Sequence, residues 1–119
     1  MRFYNISGSC VPETIDVDID EGEIFSIGRF DASVGKKQSS FEFDKTQKMV
    51  SRRHAFIERI SDVYIITDIA STYGTFIDGF RIPTNTPFPL ELGTCVAFGN
   101  KSCEFIWEKC ACELKEDEL

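Results

Sequence analysis

Two short segments of the chain carry residues that could bind an anion. Arg29 follows Gly28 at the end of an apolar stretch, and Ser51 and Arg52 directly precede another apolar stretch. The planar guanidinium group of arginine can form two parallel charge-assisted hydrogen bonds with a phosphate group. A serine hydroxyl and free backbone N–H groups can complete such a site. These residue types predict an anion site suited to phosphate.

The charge of the chain is unevenly distributed. The sequence of 119 residues has a formal net charge of −7. Between Gly28 and Arg53, however, there are seven Lys or Arg and three acids, a local balance of +4 that leaves −11 for the rest. The acidic total argues against broad nucleic-acid binding, which requires a basic surface. The basic segment is typical of a confined anion site, although the same charges would also suit a solvated loop.

Residues that could catalyse a reaction are scarce. A serine or cysteine nucleophile usually requires a base such as histidine, and His54 is the single histidine of the chain. No serine lies in a glycine-rich nucleophile elbow. Acids such as Asp16 and Asp18 alternate with apolar residues, which is typical of the wet face of a β-sheet. We therefore predict a binding protein rather than an enzyme, with no catalytic residues and no cofactor.

The cysteines and the hydropathy of the chain favour a reduced, intracellular protein. Residues 1–10 lack the long apolar run of a secretion signal, and no stretch approaches the roughly 20 apolar residues of a membrane span. Cys110 and Cys112 lack the second pair or the nearby histidine that a tetrahedral metal site requires. We expect cysteines that pack as small hydrophobes, no metal and no contact with a membrane. The choice between nucleus and cytoplasm and the oligomeric state are left open.

Period-two patterning predicts β-strands along most of the chain. Residues 15–20 alternate strictly between apolar side chains and aspartates. Ser61-Asp62 and Gly99–Ser102 are predicted turns. Three prolines (Pro83, Pro87 and Pro89) place their segment in a loop or at a sheet edge. Further strands are predicted at 24–27, 41–43, 55–60, 63–67, 94–98 and 103–107. Without convincing helical periodicity, this pattern predicts a β-sandwich or a β-barrel.

Four motifs in order along the chain resemble those of the forkhead-associated (FHA) domain. They are Phe25–Arg29, Ser51–Ala55, Asp68–Gly79 and Leu92–Gly99. A Gly-Arg pair alone would mean little, but four ordered motifs at plausible spacings are a specific signal that covers nearly the whole chain. The resemblance implies an all-β fold, an antiparallel β-sandwich of about eleven strands with the binding loops at one end. It also implies that these loops bind phosphothreonine peptides.

The resemblance implies roles for individual residues. Arg29 would contact the phosphate, Ser51 would donate its hydroxyl to it, and Arg52 would add a second positive contact. Thr72 and Tyr73 would lie beside the phosphothreonine and the peptide backbone. Four further residues would support the site by shaping its loops: Gly28, His54, Ser71 and Gly74.

Tyr73 departs from the family pattern, which has asparagine directly before this glycine. The family's asparagine amide bonds the backbone of the bound peptide, whereas a tyrosine hydroxyl lies farther from its own backbone. Asparagine also tolerates left-handed backbone angles better than tyrosine, so the loop itself could differ. Tyr73 could therefore weaken binding, move the peptide, or stack over its next residue.

The sequence thus predicts a phosphothreonine-dependent adaptor whose partner is a phosphorylated protein. Basic residues in the 31–40 and 44–50 loops would favour acidic residues beside the phosphothreonine. The alternative, motivated by Tyr73 and the acidic residues of 15–20, is a phosphate-independent interaction or assembly module on the same fold. We expect one domain over residues 1–110, followed by a flexible acidic tail over 111–119.

Overall fold

Eleven β-strands form two sheets in the computed structural model, which describes residues 1–8 and 12–110. In chain order the strands are β1 (Arg2–Asn5), β2 (Thr14–Asp16), β3 (Ile24–Arg29), β4 (Phe41–Phe43), β5 (Ala55–Ile60), β6 (Val63–Asp68), β7 (Thr75–Ile77), β8 (Phe80–Arg81), β9 (Phe88–Leu90), β10 (Cys95–Phe98) and β11 (Glu104–Glu108). A short 3₁₀ turn, Lys101–Cys103, precedes β11.

The two sheets are assembled from strands that are distant in sequence. The six-stranded sheet has the order β2-β1-β11-β10-β7-β8, and the five-stranded sheet has the order β4-β3-β5-β6-β9. Neighbouring strands are antiparallel except at one edge, where β4 runs parallel to β3. The predicted all-β sandwich of about eleven strands is confirmed.

The alternation over residues 15–20 is confirmed in burial but only partly in strand pairing. Ile15, Val17 and Ile19 are buried, and the intervening aspartates are exposed. Only Thr14–Asp16 pairs with β1, because the chain leaves the sheet after Asp16. Ile15 therefore reaches the core from β2, whereas Val17 and Ile19 reach it from the segment that follows the strand.

The turn and edge predictions are also confirmed. Ser61 and Asp62 join β5 to β6 with φ angles of 52° and 62°, the left-handed geometry of a two-residue hairpin, although neither is glycine. In the 99–102 turn, the side chain of Asn100 accepts a hydrogen bond from the N–H of Ser102 at 2.8 Å. Pro89 lies in β9, an edge strand of the five-stranded sheet, where a missing N–H is tolerated.

The space between the sheets is filled largely by aromatic rings. Phe3 packs against Trp107 with ring centroids 4.7 Å apart and against Phe98 at 5.7 Å. Phe98 in turn contacts the ring of His54, edge to face, at 5.7 Å. Such offset and edge-to-face pairs are favourable beyond the area that they bury. The core therefore continues without a gap to the loop that begins β5.

The expectation of reduced cysteines is wrong for two residues. Cys103 and Cys110 are both buried, and each of them takes part in a disulfide bond, whereas Cys95 has a free thiol. Residues 9–11 and 111–119 lie outside the described part, and with them Cys10, Cys112 and the expected acidic tail. Among the residues that the structure describes, no helix is both long and apolar enough to cross a bilayer.

Gly99, directly after β10, lies against the β4–β5 loop. Its φ angle is +89°, and a Cβ there would lie 2.2 Å from the carbonyl oxygen of Met49. Its N–H donates to the carbonyl of Gly74 at 2.9 Å. Gly99 thus contacts two loops at the same end of the sandwich, and only a residue without a side chain fits there.

Gly99→Ala is expected to lower the free energy of unfolding by about 2–4 kcal/mol, combining left-handed strain with overpacking. Gly22→Ala is the matched control, because Gly22 has a φ of +82° and a Cβ added there would meet no atom within 4 Å. That control is expected to lose only the strain, about 1 kcal/mol. Urea denaturation followed by the fluorescence of the single tryptophan, Trp107, measures both. Equal losses in the two variants would contradict the close approach.

Candidate functional site

A cleft at one end of the sandwich contains all five residues predicted to contact a phosphopeptide. Its volume is about 280 Å³. Arg29, Ser51, Arg52, Thr72 and Tyr73 line it, together with two further residues, Lys48 and Val50. The basic 44–50 loop was noted in the sequence, but no local signal showed that these two side chains would reach the cleft.

Arg29 is held at the cleft by the backbone of the opposite loop. It is the last residue of β3, and its N–H donates to the carbonyls of Ser51 at 3.0 Å and Arg52 at 3.3 Å. This approach depends on Gly28, since a Cβ there would lie 2.0 Å from the carbonyl oxygen of Arg52. Gly28 therefore brings the two arginines of the cleft together by allowing one backbone to lie on the other.

Ser51 connects the β4–β5 loop to the β6–β7 loop. Its hydroxyl oxygen accepts a hydrogen bond from the N–H of Thr72 at 3.0 Å. Accepting this bond does not use the hydroxyl proton, so Ser51 can still donate to an anion in the cleft.

His54 is buried beneath the cleft, and both of its ring nitrogens bond to backbone. Nδ1 accepts from the N–H of Ser51 at 3.0 Å, and Nε2 lies 2.8 Å from the carbonyl oxygen of Gly74. Since a carbonyl can only accept, the ring proton resides on Nε2. Burial lowers the pKa of His54 below its ordinary value, which keeps the ring neutral. This geometry supports a structural role in joining the two loops.

Asp68 organises the β6–β7 loop from inside the sandwich. Its carboxylate accepts hydrogen bonds from the N–H of Ser71 at 3.1 Å, from the hydroxyl of Ser71, and from the hydroxyl of Thr75 at 2.7 Å. Burial by itself raises the pKa of Asp68, but these hydrogen bonds together hold it below the usual range. The loop is thus fixed by a buried, charged carboxylate whose partners lie within seven residues.

Tyr73 stands at the rim of the cleft without backbone strain. Its side chain is 46% exposed, and the positive φ angles of this loop fall on Ala70 and Gly74 instead. Tyr73 itself therefore does not adopt the left-handed conformation that asparagine tolerates better. Arg81 crosses Gly74, where a Cβ would lie 2.6 Å from Nε, and its Nη2 donates to the carbonyl of Thr72 at 3.4 Å.

The electrostatics of the cleft leave its positive charge largely available. Arg52 is exposed, and its Nε lies 3.7 Å from a carboxylate oxygen of Asp31. The pKa of Asp31 is lowered, mainly by a hydrogen bond from the Ser33 hydroxyl and also by the charges of Arg52 and Arg29. A single contact at 3.7 Å is too long for a good hydrogen bond, so a phosphate group could compete for Arg52.

The neutral state of His54 predicts a pH-dependent stability. Because its pKa is lower in the folded chain, the unfolded chain binds more protons once the pH falls below about 6.5. The contribution of the neutral ring to the free energy of unfolding is therefore fully present above that pH and is lost as the pH falls below it, by at most about 1.4 kcal/mol per pH unit. Urea denaturation at several pH values measures the slope. His54→Gln should be less stable, but its free energy of unfolding should not change with pH over this range, since the chain has no other histidine. If the free energy of unfolding of His54→Gln still falls with pH, another group causes the pH dependence.

Solved structures that are similar to this chain include FHA domains from different organisms. The FHA domain of the CT664 protein from Chlamydia trachomatis is similar to this chain with a TM-score of 0.68 at 22% identity, over 92% of this chain and 97% of that one. The N-terminal FHA domain of Rad53p from S. cerevisiae, in complex with a phosphothreonine peptide, has a TM-score of 0.66 at 20% identity, over 87% and 86%. EmbR from Mycobacterium tuberculosis, in complex with a low-affinity phosphopeptide, has a TM-score of 0.56 at 25% identity, over 71% of this chain and 19% of that one. No curated protein matches the chain significantly.

The family comparison agrees with the fold. The family model of the FHA domain matches residues 25–99, which is more than half of the chain and runs from the second residue of β3 through the end of β10. Its span contains every residue that lines the cleft. The resemblance seen in the four sequence motifs is thereby confirmed, and the chain belongs to the FHA domain family.

Proposed function

We propose that this protein is a phosphothreonine-dependent peptide-binding module that acts as a signalling adaptor. The observation that carries the proposal is the convergence of Arg29, Ser51 and Arg52 on one cleft, with Lys48 beside them. The Rad53p domain, which shares the fold, was solved with a phosphothreonine peptide. That complex supports the same class of ligand for this chain.

The cleft offers a phosphate group three kinds of partner. Arg29 and Arg52 supply guanidinium groups, Lys48 adds a further charge, and the hydroxyl of Ser51 can donate a hydrogen bond. A phosphate monoester carries a charge of about −1.5 to −2 at pH 7. Hydrogen bonds between such charged groups contribute about 1.5–3 kcal/mol each, so two or three of them would dominate the affinity of a short peptide.

A single aliphatic residue at the base of the cleft, Val50, is the feature that supports threonine over serine. Val50 lines the cleft, and only 1% of its surface is exposed. The γ-methyl group of phosphothreonine could pack against such a surface, whereas phosphoserine lacks that methyl group. One buried methyl group contributes about 0.8 kcal/mol. Thr72 and Tyr73 line the cleft from the opposite loop, and we propose that they contact the peptide beside the phosphothreonine.

We infer that the chain binds its ligand without transforming it. His54, the single histidine, is fully buried, and both ring nitrogens are engaged by backbone groups. It is therefore not positioned to take a proton from a substrate in the cleft. An adaptor needs only to hold a phosphorylated partner, and the cleft residues are suited to that role.

Arg29→Ala should weaken the binding of a phosphothreonine peptide by at least about tenfold, or about 1.4 kcal/mol, because a direct phosphate contact is lost. Arg53→Ala is the matched control, since Arg53 is close in sequence to the cleft residues and exposed but does not line the cleft. An oriented phosphothreonine peptide library identifies the preferred ligand. Isothermal titration calorimetry with that peptide then measures the affinity of both variants.

The same titrations separate the proposal from its alternative. The unphosphorylated peptide should not bind, and the phosphoserine peptide should bind more weakly. Equal affinity for phosphorylated and unphosphorylated peptides, or no saturable binding across the library by the folded protein, would favour a phosphate-independent interaction module instead. Retained affinity in Arg29→Ala would remove Arg29 from the site.

Tyr73→Asn should strengthen phosphothreonine peptide binding by up to about tenfold. The shorter amide can donate to and accept from the peptide backbone, and each hydrogen bond contributes roughly 1 kcal/mol. No loop rearrangement is required, because the left-handed residue is Gly74 with a φ of +91°. Calorimetry with the same peptide provides the measurement. Weaker binding in Tyr73→Asn would show that the tyrosine itself contacts the peptide.

A further inference from the structure

The five-stranded sheet has a second face that is turned away from the core. On the central strand β5, Ala55 and Ile57 are buried in the core. Because side chains alternate along a strand, Phe56, Glu58 and Ile60 point to the opposite side. The outward-pointing residues that matter here are called the outer face: Ile24, Phe56, Glu58, Ile60, Val63 and Ile65.

The outer face is apolar across several strands. A row in register runs from Ile24 through Glu58 and Ile65 to Pro89, across β3, β5, β6 and β9. Ile24 is 57% exposed, and the neighbouring pair Ile60 and Val63 is 46% and 47% exposed. Cross-strand neighbours lie about 5 Å apart, so these side chains form a continuous surface. Ser26 and Thr67 flank Phe56 in the next row.

This face differs from the other outward surface that the sequence pattern defined. Along residues 15–20 the outward positions are all aspartates, as expected for a surface that meets only water. On β5 and β6 four of the six outward positions are apolar: Phe56, Ile60, Val63 and Ile65. An antiparallel sheet that faced only water on this side would alternate apolar with polar residues, and an extended apolar surface typically marks an interaction site.

The charges at the outer face are acidic. Glu58 is half-buried between Ile24 and Ile65, and among the described residues no Lys or Arg pairs with it. The adjacent β5–β6 turn carries Asp62, and the carboxylate of Glu21, from the segment before β3, accepts from the N–H groups of residues 61 and 62.

The nearest arginine, Arg59, pairs with Asp62 at 3.2 Å and not with Glu58, so Glu58 remains the charge at the centre of this face. Arg59 is directed inward, where its Nη1 donates to the carbonyl of Ile19 at 3.0 Å and its guanidinium lies 5.5 Å from the ring centre of Tyr64. The partner that fits is therefore apolar with a positive charge at its centre. A second copy of this chain is disfavoured, because it would place one Glu58 near another within a molecule of net charge −7.

We propose that the outer face is a second docking surface, which binds an amphipathic helix of a partner protein through its apolar residues and pairs Glu58 with a Lys or Arg of that helix. A helix packed on a sheet is a common two-layer arrangement that would cover this face. The surface is separate from the phosphopeptide cleft, since Ile24 and Arg29 lie at opposite ends of β3, about 17 Å apart by strand rise. One domain could then hold two partners at once.

The test uses a designed helical peptide of leucine and lysine, with leucine at the i, i+3, i+4 and i+7 spacing of an apolar face. It is titrated into the isotope-labelled full chain and followed by NMR. We expect saturable shifts centred on residues 24, 56–65 and 89. Glu58→Lys should weaken binding by at least about tenfold. Glu108→Lys is the matched control on the other sheet, where an equally half-buried glutamate undergoes the same charge reversal, and it should change affinity less than about twofold.

Val63→Thr provides a second variant that keeps the shape and strand preference of the side chain while replacing one methyl group of the contact with a hydroxyl. It should weaken binding several-fold, and Trp107 fluorescence confirms that each variant is folded. The proposal is overturned by any of four results: no binding, equal weakening by the two charge reversals, shifts spread over the aspartates of 15–20, or self-association of the chain through this face without peptide.

Discussion

The hydrogen bonds of the buried His54 ring are the contacts on which the cleft depends. One ring nitrogen accepts from the N–H of Ser51, and the other donates to the carbonyl of Gly74. The ring thereby joins the loop that precedes β5 to the loop that crosses from one sheet to the other. The ring also packs against Phe98, so it connects the loops of the cleft to the aromatic core. The loops that form the cleft are therefore held in place by contacts with the interior of the sandwich.

Close backbone approaches complete this support. Gly28 lets the carbonyl of Arg52 rest on β3, and Gly99 lets Met49 approach β10 while bonding Gly74. Asp68 fixes the remaining loop through Ser71 and the adjacent strand. Since these bonds use backbone atoms and buried groups, the side chains that face the cleft stay free for a ligand. A site held in place before binding loses less entropy when the ligand arrives.

The sandwich separates two kinds of surface by their chemistry. The loop end gathers positive charge around Arg29 and Arg52, which suits a ligand recognised by hydrogen bonds to an anion. The outer face of the five-stranded sheet is apolar with Glu58 at its centre, which suits a ligand recognised by buried area and one ion pair. Strand β3 contributes to both, with Arg29 at one end and Ile24 at the other. Binding at one surface therefore leaves the other accessible.

The sequence by itself determined the local structure and the residue types of the candidate anion site. Period two predicted the strands and turn residues predicted the hairpins. Ordered motifs placed Arg29 at the end of a strand and Ser51 and Arg52 in the loop before the next one, because each of these signals depends on residues close in sequence. Only the tertiary structure decided the parallel pairing of β4, the presence of Lys48 and Val50 in the cleft, and the disulfide bonding of Cys103. These depend on strand register and on approaches between distant segments. A pattern read along one strand carries no information about which side chains another segment brings beside it.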